Sequence, residues 1–512
     1  MMTSSFARWL AGCLVLMGLC WAVAPARGQQ TRPRNIVLVV ADDQSPDFGA
    51  YGNKVMKTPN LDALAAAGTR FNHAFATTAS CSASRSVILT GLHNHANGQY
   101  GHQHDFHKFG SYDNVVSLPV YLAAGGYRTI RCGKFHVAPD EVYRFDQEIP
   151  GNPRNAHQMA ENCKTVIEEK SDKPFFLYFC TSDPHRGGGY ATELAGKPDR
   201  FGNPAPGAKA KPGKGAAEHE VIYDPKDVIV PAFLPDTETS RAELAQYYQS
   251  CSRIDRGIGR LVEILKAAGQ WDHTLVIYIA DHGMAFPGAK TTVYEAGLRA
   301  PLLVRNPFIE KRGVVSEAMI SWIDLTPTIL DFAAILDAKT NTVKADVLAK
   351  VSPVKVTDQK SRDLKRGQFH GRSFLSILDQ EKPGGWDEIG ASHTFHEIQM
   401  YYPMRVVRDR QYKLIWNIAH PLPFPFASDL WAAPTWQAQY KLGPEAPYGG
   451  RTVKSYIQRP QFELYDMEKD PNETKNLAAD SAHQRVLEQM KAKLKAFQKR
   501  TDDPWIMKWE YE

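Results

Sequence analysis

The chain has 512 residues, 43% of them hydrophobic and 23% charged, the balance of a globular enzyme rather than a disordered chain. Its formal net charge of +5, spread over that length, is too small to argue for nucleic acid as a partner. An anionic substrate stays compatible, because local charge decides that question.

Arg8 gives a positive start, Leu10 to Ala24 is an apolar run, and Ala24-Pro25-Ala26 supplies small residues for cleavage. Residues 1–28 therefore read as a secretory signal peptide, too short for a confident membrane span, with an uncleaved N-terminal anchor as the alternative. No later segment is apolar for long enough to span a bilayer. The expectation is an exported protein, periplasmic or secreted (lysosomal in a eukaryote), without a stable membrane anchor. Cys13 and Cys20 leave with that segment; Cys81, Cys132, Cys163, Cys180 and Cys251 remain. The number is odd, so at least one stands outside any intramolecular disulfide, and the other four are free to pair or stay as buried thiols.

The run Asn35-Ile-Val-Leu-Val-Val-Ala41 is β-branched and has no polar face, as a buried strand requires. Thr58-Pro59 then starts a helix, Thr as N-cap and Pro at the first helical position, through Leu61, Leu64 and Ala65 to Gly68. Further strands read at 127–132, 174–180 and 274–280. Ser240-Arg-Ala-Glu243 has the spacing of a capping box opening a long helix that reaches about Ala268 and stops at Gly269. Such alternation predicts an α/β fold with a mainly parallel central sheet flanked by helices. Residues 335–372 are Lys-rich and poorly periodic, an exposed connection or insertion. Beyond them 412–417 and 461–465 read as strands of a smaller antiparallel sheet. Residues 481–499 read as an amphipathic helix with Val486, Met490, Leu494 and Phe497 on one stripe. The partition expected is a main domain over 30–375 and a C-terminal α+β subdomain over 376–512.

Polar clusters fall at four strand ends: Asp42-Asp43, Gly133-Lys134-Phe135-His136, Ser182-Asp183-Pro184-His185 and Asp281-His282-Gly283. Open α/β sheets place ligand sites at the carboxyl ends of their strands, and four coincidences of this kind are hard to explain by structure alone. Asp42, Asp43 and Asp281 would bring three carboxylates to one place, which repel unless a cation sits among them. Hard oxygen ligands suit Ca²⁺ or Mg²⁺. Cys81, just before a helix start, sits where backbone N–H groups favour an anion, and Arg85 follows one turn on.

The stretch Cys81-Ser82-Ala83-Ser84-Arg85, with Leu89-Thr90-Gly91 downstream, resembles the signature of the formylglycine-dependent sulfatases, an alkaline phosphatase-like superfamily. Ala83 stands where many members carry Pro, a variant the maturation motif tolerates. The resemblance runs from Asn35 to Trp505 and includes Gly133-Lys134, Asp183-Pro184-His185-Arg186, Asp324-Leu-Thr-Pro-Thr-Ile-Leu330 and Glu463-Leu464-Tyr465-Asp466. The block His396-Glu-Ile-Gln-Met-Tyr-Tyr-Pro-Met-Arg405 is similar to the N-sulfatase branch, whose members cleave the sulfamate of N-sulfoglucosamine at the non-reducing end of heparan-type glycans.

That resemblance implies an alkaline phosphatase-like sandwich and a set of roles. A maturation enzyme oxidises Cys81 to formylglycine, whose hydrate attacks sulfur. One divalent ion per chain, Ca²⁺ by analogy, is held by Asp42, Asp43, residue 81, Asp281 and His282. It lowers the hydroxyl's pKa and polarises a sulfuryl oxygen. Asp281 takes the attacking proton. Arg85, Lys134 and Lys290 bind and neutralise charge. His185 donates to the leaving group, and His136 deprotonates the second hydroxyl so that sulfate is expelled from residue 81. His104, His396, Glu397 and Arg405 are candidates for contacting the sugar. The histidine-rich stretch His93, His95, His102, His104, His107 reads as loop histidines near the mouth rather than a second metal site. Two residues depart from the N-sulfatase pattern: His282 stands where that branch has Asn, and Lys290 where it has Arg. Both leave open an O-sulfatase acting on another glycan or small sulfate ester, and a phosphonate or phosphodiester hydrolase shares the fold. The partners expected are a sulfated saccharide and the maturation enzyme, with a homodimer favoured by analogy.

Overall fold

Asn35–Ala41 (β1) is buried along its whole length and lies inside an eight-stranded sheet, where an all-apolar β-branched run has neighbours on both edges and both faces. The other strands in chain order are Thr69–Phe75 (β2), Arg128–Gly133 (β3), Gln147–Ile149 (β4), Phe175–Cys180 (β5), Thr274–Ala280 (β6), Leu302–Arg305 (β7) and Val314–Ser321 (β8). Across the sheet they run β8-β2-β7-β6-β1-β5-β3-β4. All pairs are parallel except those made by β7. The computed structural model describes residues 34–187, 198–204, 220–352 and 362–511. The segment read as a signal peptide lies outside them. Residues 33–512 pack as one compact unit.

Register decides where the chemistry falls. Ala41 of β1 is opposite Ala280 of β6, Val40 is opposite Cys180 of β5, and Gly133 of β3 is opposite Cys180. Four adjacent parallel strands thus end at one level, and the polar clusters that follow them share one edge. Gly133 has φ +89, and a Cβ there would lie 2.1 Å from the carbonyl oxygen of Cys180. Only glycine lets β3 leave the sheet so close to β5 and turn toward Lys134.

Helices flank the sheet: Pro59–Ala66 (α1), Cys81–Thr90 (α2), Ala156–Glu168 (α3), Glu238–Ala267 (α4) and Leu325–Phe332 (α5). Thr58 precedes α1 as expected, but its hydroxyl accepts from Gly49 N and donates to Asp62 instead of capping the helix. The start of α4 differs from the capping box read at Ser240. Thr237 is the N-cap, its Oγ1 accepting from Ser240 N, while Glu243 is buried against Arg186 and Thr435. Thr237 and Ser240, one helical turn apart, both offer the cap chemistry, and the tertiary pairing of Glu243 selects the earlier one. The helix ends at Ala267, with Gly269 left-handed just beyond.

The C-terminal sheet is antiparallel, Glu388–His393 (β9), Met404–Asp409 (β10), Tyr412–Asn417 (β11) and Phe462–Asp466 (β12) in that order. Gln484–Arg500 (α6) covers it, burying Leu487, Met490, Leu494 and Phe497 against Val407, Leu414, Trp416 and Leu464. Leu487 takes the place expected of Val486, which is only partly buried. The described residues of the stretch 335–372 form more than a bare exposed connection. Leu336–Asp337 pairs with Thr342–Val343, and Leu336, Val343, Val347 and Val351 anchor the segment in the core while its lysines face outward.

Candidate active site

Cys81 is the first residue of α2, after Ser80 as N-cap, and every residue of that helix is buried. Its Sγ points into the edge formed by the four strand ends, 3.5 Å from Asp43 Oδ1 and 3.4 Å from His282 Nε2. Burial, reinforced by the Asp43 carboxylate, holds the thiol well above the usual thiol range. The unmodified side chain is therefore neutral, and the helix terminus does not generate a thiolate here.

Asp42 and Asp43 leave β1, with Asp43 at φ +60; Asp281 and His282 leave β6. A ligating atom from each of Asp43, Cys81, Asp281 and His282 lies within 4.8 Å of the others. Burial, with the Asp42 charge adding to it, pushes the Asp281 carboxyl up to about 6. Burial acts the same way on Asp42 and Asp43, but Lys134 and Arg85 outweigh it at the first, and Lys290 and His185 at the second; both stay below the carboxylate range. His282 Nδ1 lies 3.0 Å from the Gly283 carbonyl, which can only accept. Nδ1 is placed to donate to that carbonyl, and Nε2, 3.0 Å from Asp43 Oδ1 and 3.4 Å from Cys81 Sγ, is the nitrogen turned into the cluster, where a metal would meet it. Three buried carboxylates and this nitrogen fit a hard divalent cation.

Cations surround the carboxylates. Arg85 forks between Asp42 Oδ1 at 2.9 Å and Asp281 Oδ2 at 3.1 Å. Lys134 Nζ is 2.6 Å from Asp42 Oδ2, and Lys290 Nζ is 2.9 Å from Asp43 Oδ2. His185 Nδ1 is 2.5 Å from Asp43 Oδ2, leaving Nε2 as its other nitrogen. Burial and then Lys134 hold the His136 imidazole well below its ordinary range, so it is neutral and able to accept a proton. His136 at φ +62 and Thr291 at φ +65 join Asp43 as side-chain-bearing residues in the left-handed region, a strain that collects at sites the surroundings over-determine.

The C-terminal half straps this edge. His393 Nδ1 is 2.9 Å from Thr78 Oγ1, and His396 Nδ1 is 3.0 Å from Ser80 Oγ, the N-cap before Cys81. Glu397 Oε1 accepts from Ser428 N and Oγ, and the next residue, Asp429, accepts from Lys290 Nζ at 2.9 Å. Ser428 and Asp429 were not marked by the sequence; a lone carboxylate on a one-turn helix carries no motif. Of the sugar-contact candidates, His396 and Glu397 reach the site through these bonds, and His104 lies beside His136 with rings 5.0 Å apart. Arg405 does not join them. It is fully buried, its fork spent on Asp503 at 2.5 and 3.0 Å and on the His393 carbonyl. The histidine-rich stretch divides as well: His93 and His95 are interior residues packed near Phe497, while His102, His104 and His107 cluster beside His136. The five cysteines among the described residues are free and buried, so the thiol alternative holds for them.

The Sulfatase family model matches residues 34–335. The chain is 37% identical over 503 residues to N-sulphoglucosamine sulphohydrolase of Homo sapiens, covering 96% of this chain and 93% of that one. Among solved structures, a protein in complex with its substrate D-glucosamine-2-N,6-O-disulfate superimposes with a TM-score of 0.63 at 20% identity, covering 94% of this chain and all of the other. The phosphonate monoester hydrolase of Agrobacterium radiobacter gives 0.61 at 18% identity, over 92% of this chain and 96% of the other. These low identities speak to the fold, which is the alkaline phosphatase-like arrangement expected. The family match spans more than half of the residues and the human relative nearly the whole length: this chain belongs to the sulfatase family.

Proposed function

We propose that this enzyme hydrolyses the sulfamate of N-sulfoglucosamine at the non-reducing end of heparan-type glycans, releasing inorganic sulfate. The observation that carries the reading is near-full-length identity to an N-sulphoglucosamine sulphohydrolase, in a chain whose Cys81 points into a pocket of carboxylates and cations. Cys81 is converted to formylglycine, whose hydrate offers one oxygen for attack on sulfur and a second for release. The need for that conversion is supported by the raised, neutral thiol. Asp42, Asp43, Asp281 and His282 would hold a divalent ion, Ca²⁺ by its preference for hard oxygen ligands; bound, it would supply charge neutralisation and lower the pKa of a hydroxyl.

The chain's own groups divide the remaining work. Asp281, whose carboxyl sits near 6, accepts the proton of the attacking hydroxyl. Lys134 and Lys290 neutralise the sulfuryl oxygens and Arg85 the charge around residue 81, in a water-poor edge where such contacts are worth most. His185, entering as the imidazolium with Nδ1–H on Asp43, delivers its Nε2 proton to the departing nitrogen, which would otherwise leave as an amide anion. His136, neutral, takes the proton of the second hydroxyl. Residues 1–28 act as a signal peptide, which puts the mature enzyme outside the cytosol, over a main domain at 30–375 and a subdomain at 376–512.

The test is sulfate release by mature protein, co-produced with a formylglycine-generating enzyme, from N-sulfoglucosamine, 6-O-sulfated glucosamine and a phosphodiester, with Cys81→Ala as control. Release from the sulfamate, lost in the variant, is expected. His282 and Lys290, residues shared with general sulfatases, favour an O-sulfatase as the second reading. Release from the O-sulfate alone would install it.

A further inference from the structure

Besides the carboxylate cluster, another group of ligating side chains converges at this edge. Gln103–His104 pairs with His107–Lys108 in a short antiparallel ladder. That ladder sets His102 and His104 beside His136, which comes from the turn after β3. One nitrogen from each of the three rings lies within 4.8 Å of the other two. His102 Nδ1 and His104 Nε2 are 2.8 Å apart, and the His102 and His136 rings meet edge-on at 4.9 Å.

Three observations point to a cation. His102 Nε2 and His136 Nδ1 are buried without a hydrogen-bond partner among the described residues, and His102 is only 5% exposed. An orphaned buried nitrogen is destabilising unless something binds it. Next, His104 Nδ1 lies 3.1 Å from Asp105 Oδ2. The carboxylate accepts, so Nδ1 carries the proton and Nε2 accepts from His102 Nδ1, a hydrogen bond that an incoming ion would exchange for its own bond to Nε2. A carboxylate behind an imidazole in this way fixes the tautomer and raises the basicity of metal-binding histidines. Finally, the His104 side chain is 42% exposed and gives an ion its way in.

We propose that His102, His104 and His136 form a second divalent-cation site, selective for ions of the zinc class over calcium, at the edge of the active site. Three imidazoles and no carboxylate ligand are the donor set of zinc, copper or nickel, whereas calcium needs six or more oxygens. Three protein ligands leave a position open to water or to a substrate oxygen. Occupation ties up the His136 imidazole and stops turnover; this consequence rests on the role given to His136 above, whereas binding itself does not.

The experiment measures binding separately from turnover. Mature protein held in excess Ca²⁺ is titrated with Zn²⁺ by calorimetry, then gel-filtered and its zinc counted by elemental mass spectrometry. One zinc per chain is expected, retained against calcium. His102→Leu and His104→Gln each weaken it roughly tenfold or more, and Asp105→Asn by about tenfold, as loss of an outer-shell partner does. Asp43→Asn, which cripples the carboxylate cluster, keeps the zinc. His104 lies on an exposed ladder, so its variant stays folded even if the buried His102 variant does not. Absence of retained zinc, or zinc that survives His104→Gln but is lost in Asp43→Asn, would overturn the site. Zinc inhibition of sulfate release, weakened in parallel by His104→Gln, is the accompanying kinetic sign.

Discussion

Lys290 and Asp429, 139 positions apart in the chain, meet with Nζ 2.9 Å from Oδ2, and the same ammonium is 2.9 Å from Asp43 Oδ2. Burial works against the charged form of Lys290, but the carboxylates, Asp429 first, hold it well above the usual lysine range. A cation assigned to the sulfuryl oxygens is thus aimed by a residue of the C-terminal half, and Glu397, through Ser428, fixes that residue in turn.

Asp429→Asn keeps the shape and removes the charge. Its kcat/KM is expected to fall about tenfold to a hundredfold, or about 1.4–2.7 kcal/mol of transition-state stabilisation, with the circular dichroism spectrum unchanged. Glu397→Gln should follow it more weakly. An unaltered kcat/KM in Asp429→Asn would mean that Asp43 alone orients Lys290.

Chelation should act on stability as well as activity. With Asp42, Asp43 and Asp281 buried side by side, a bound cation relieves their repulsion only in the folded chain. At a hundred times its Kd it adds about 2.7 kcal/mol. Differential scanning calorimetry should show a lower Tm after treatment with a chelator and its recovery with Ca²⁺. Asp43→Asn should lose that response while keeping its fold. A Tm indifferent to calcium in the wild type would argue against the ion-binding reading.

The acid limb of stability has an identifiable source away from the site. His95 Nδ1 and Nε2 are each 3.0 Å from a hydroxyl, Ser392 and Thr501, and burial pushes the imidazole down to about 3. His393, down to about 3, and His370, down to about 4, are depressed by burial in the same way. Below pH 6.5 the unfolded chain takes up protons that these folded imidazoles refuse. The stabilisation is therefore complete above about 6.5 and lost as pH falls toward 3, by about 1.4 kcal/mol per unit for each fully responding histidine. Urea midpoints measured from pH 7 to 4 should decline, and His95→Gln should flatten the slope. An equal slope in the variant would place the acid sensitivity elsewhere.

What the sequence made legible follows from local chemistry. β1, β5, β3 and β6 could be read because buried parallel strands are unbroken apolar runs, and their register brings Asp43, Lys134, His185 and Asp281 together without further information. Cys81 and Arg85 could be read because their motif is contiguous. Asp429 could not, since its significance lies in a contact with a residue 139 positions away. The cap at Thr237 and the inward face of α6 at Leu487 were misjudged by one alternative each. In both places neighbouring residues had equal local claims, and tertiary packing chose between them.

Arg405 shows the opposite error, a motif residue whose role is structural. With Asp503 it forms a fully buried fork, and Arg405 draws the Asp503 carboxyl below its ordinary range although burial opposes this. Truncating one partner leaves the other charged and unpaired, so Arg405→Ala should cost roughly 3–5 kcal/mol of unfolding free energy. The double variant Arg405→Met with Asp503→Leu should recover most of it, because two apolar groups replace the pair without an orphaned charge. Denaturant titrations of the three proteins supply the cycle. At a temperature where Arg405→Ala is still folded, its KM for the sulfamate should match that of the wild type. A raised KM with stability intact would instead return Arg405 to the substrate pocket, and would require the Asp503 fork to open when substrate binds.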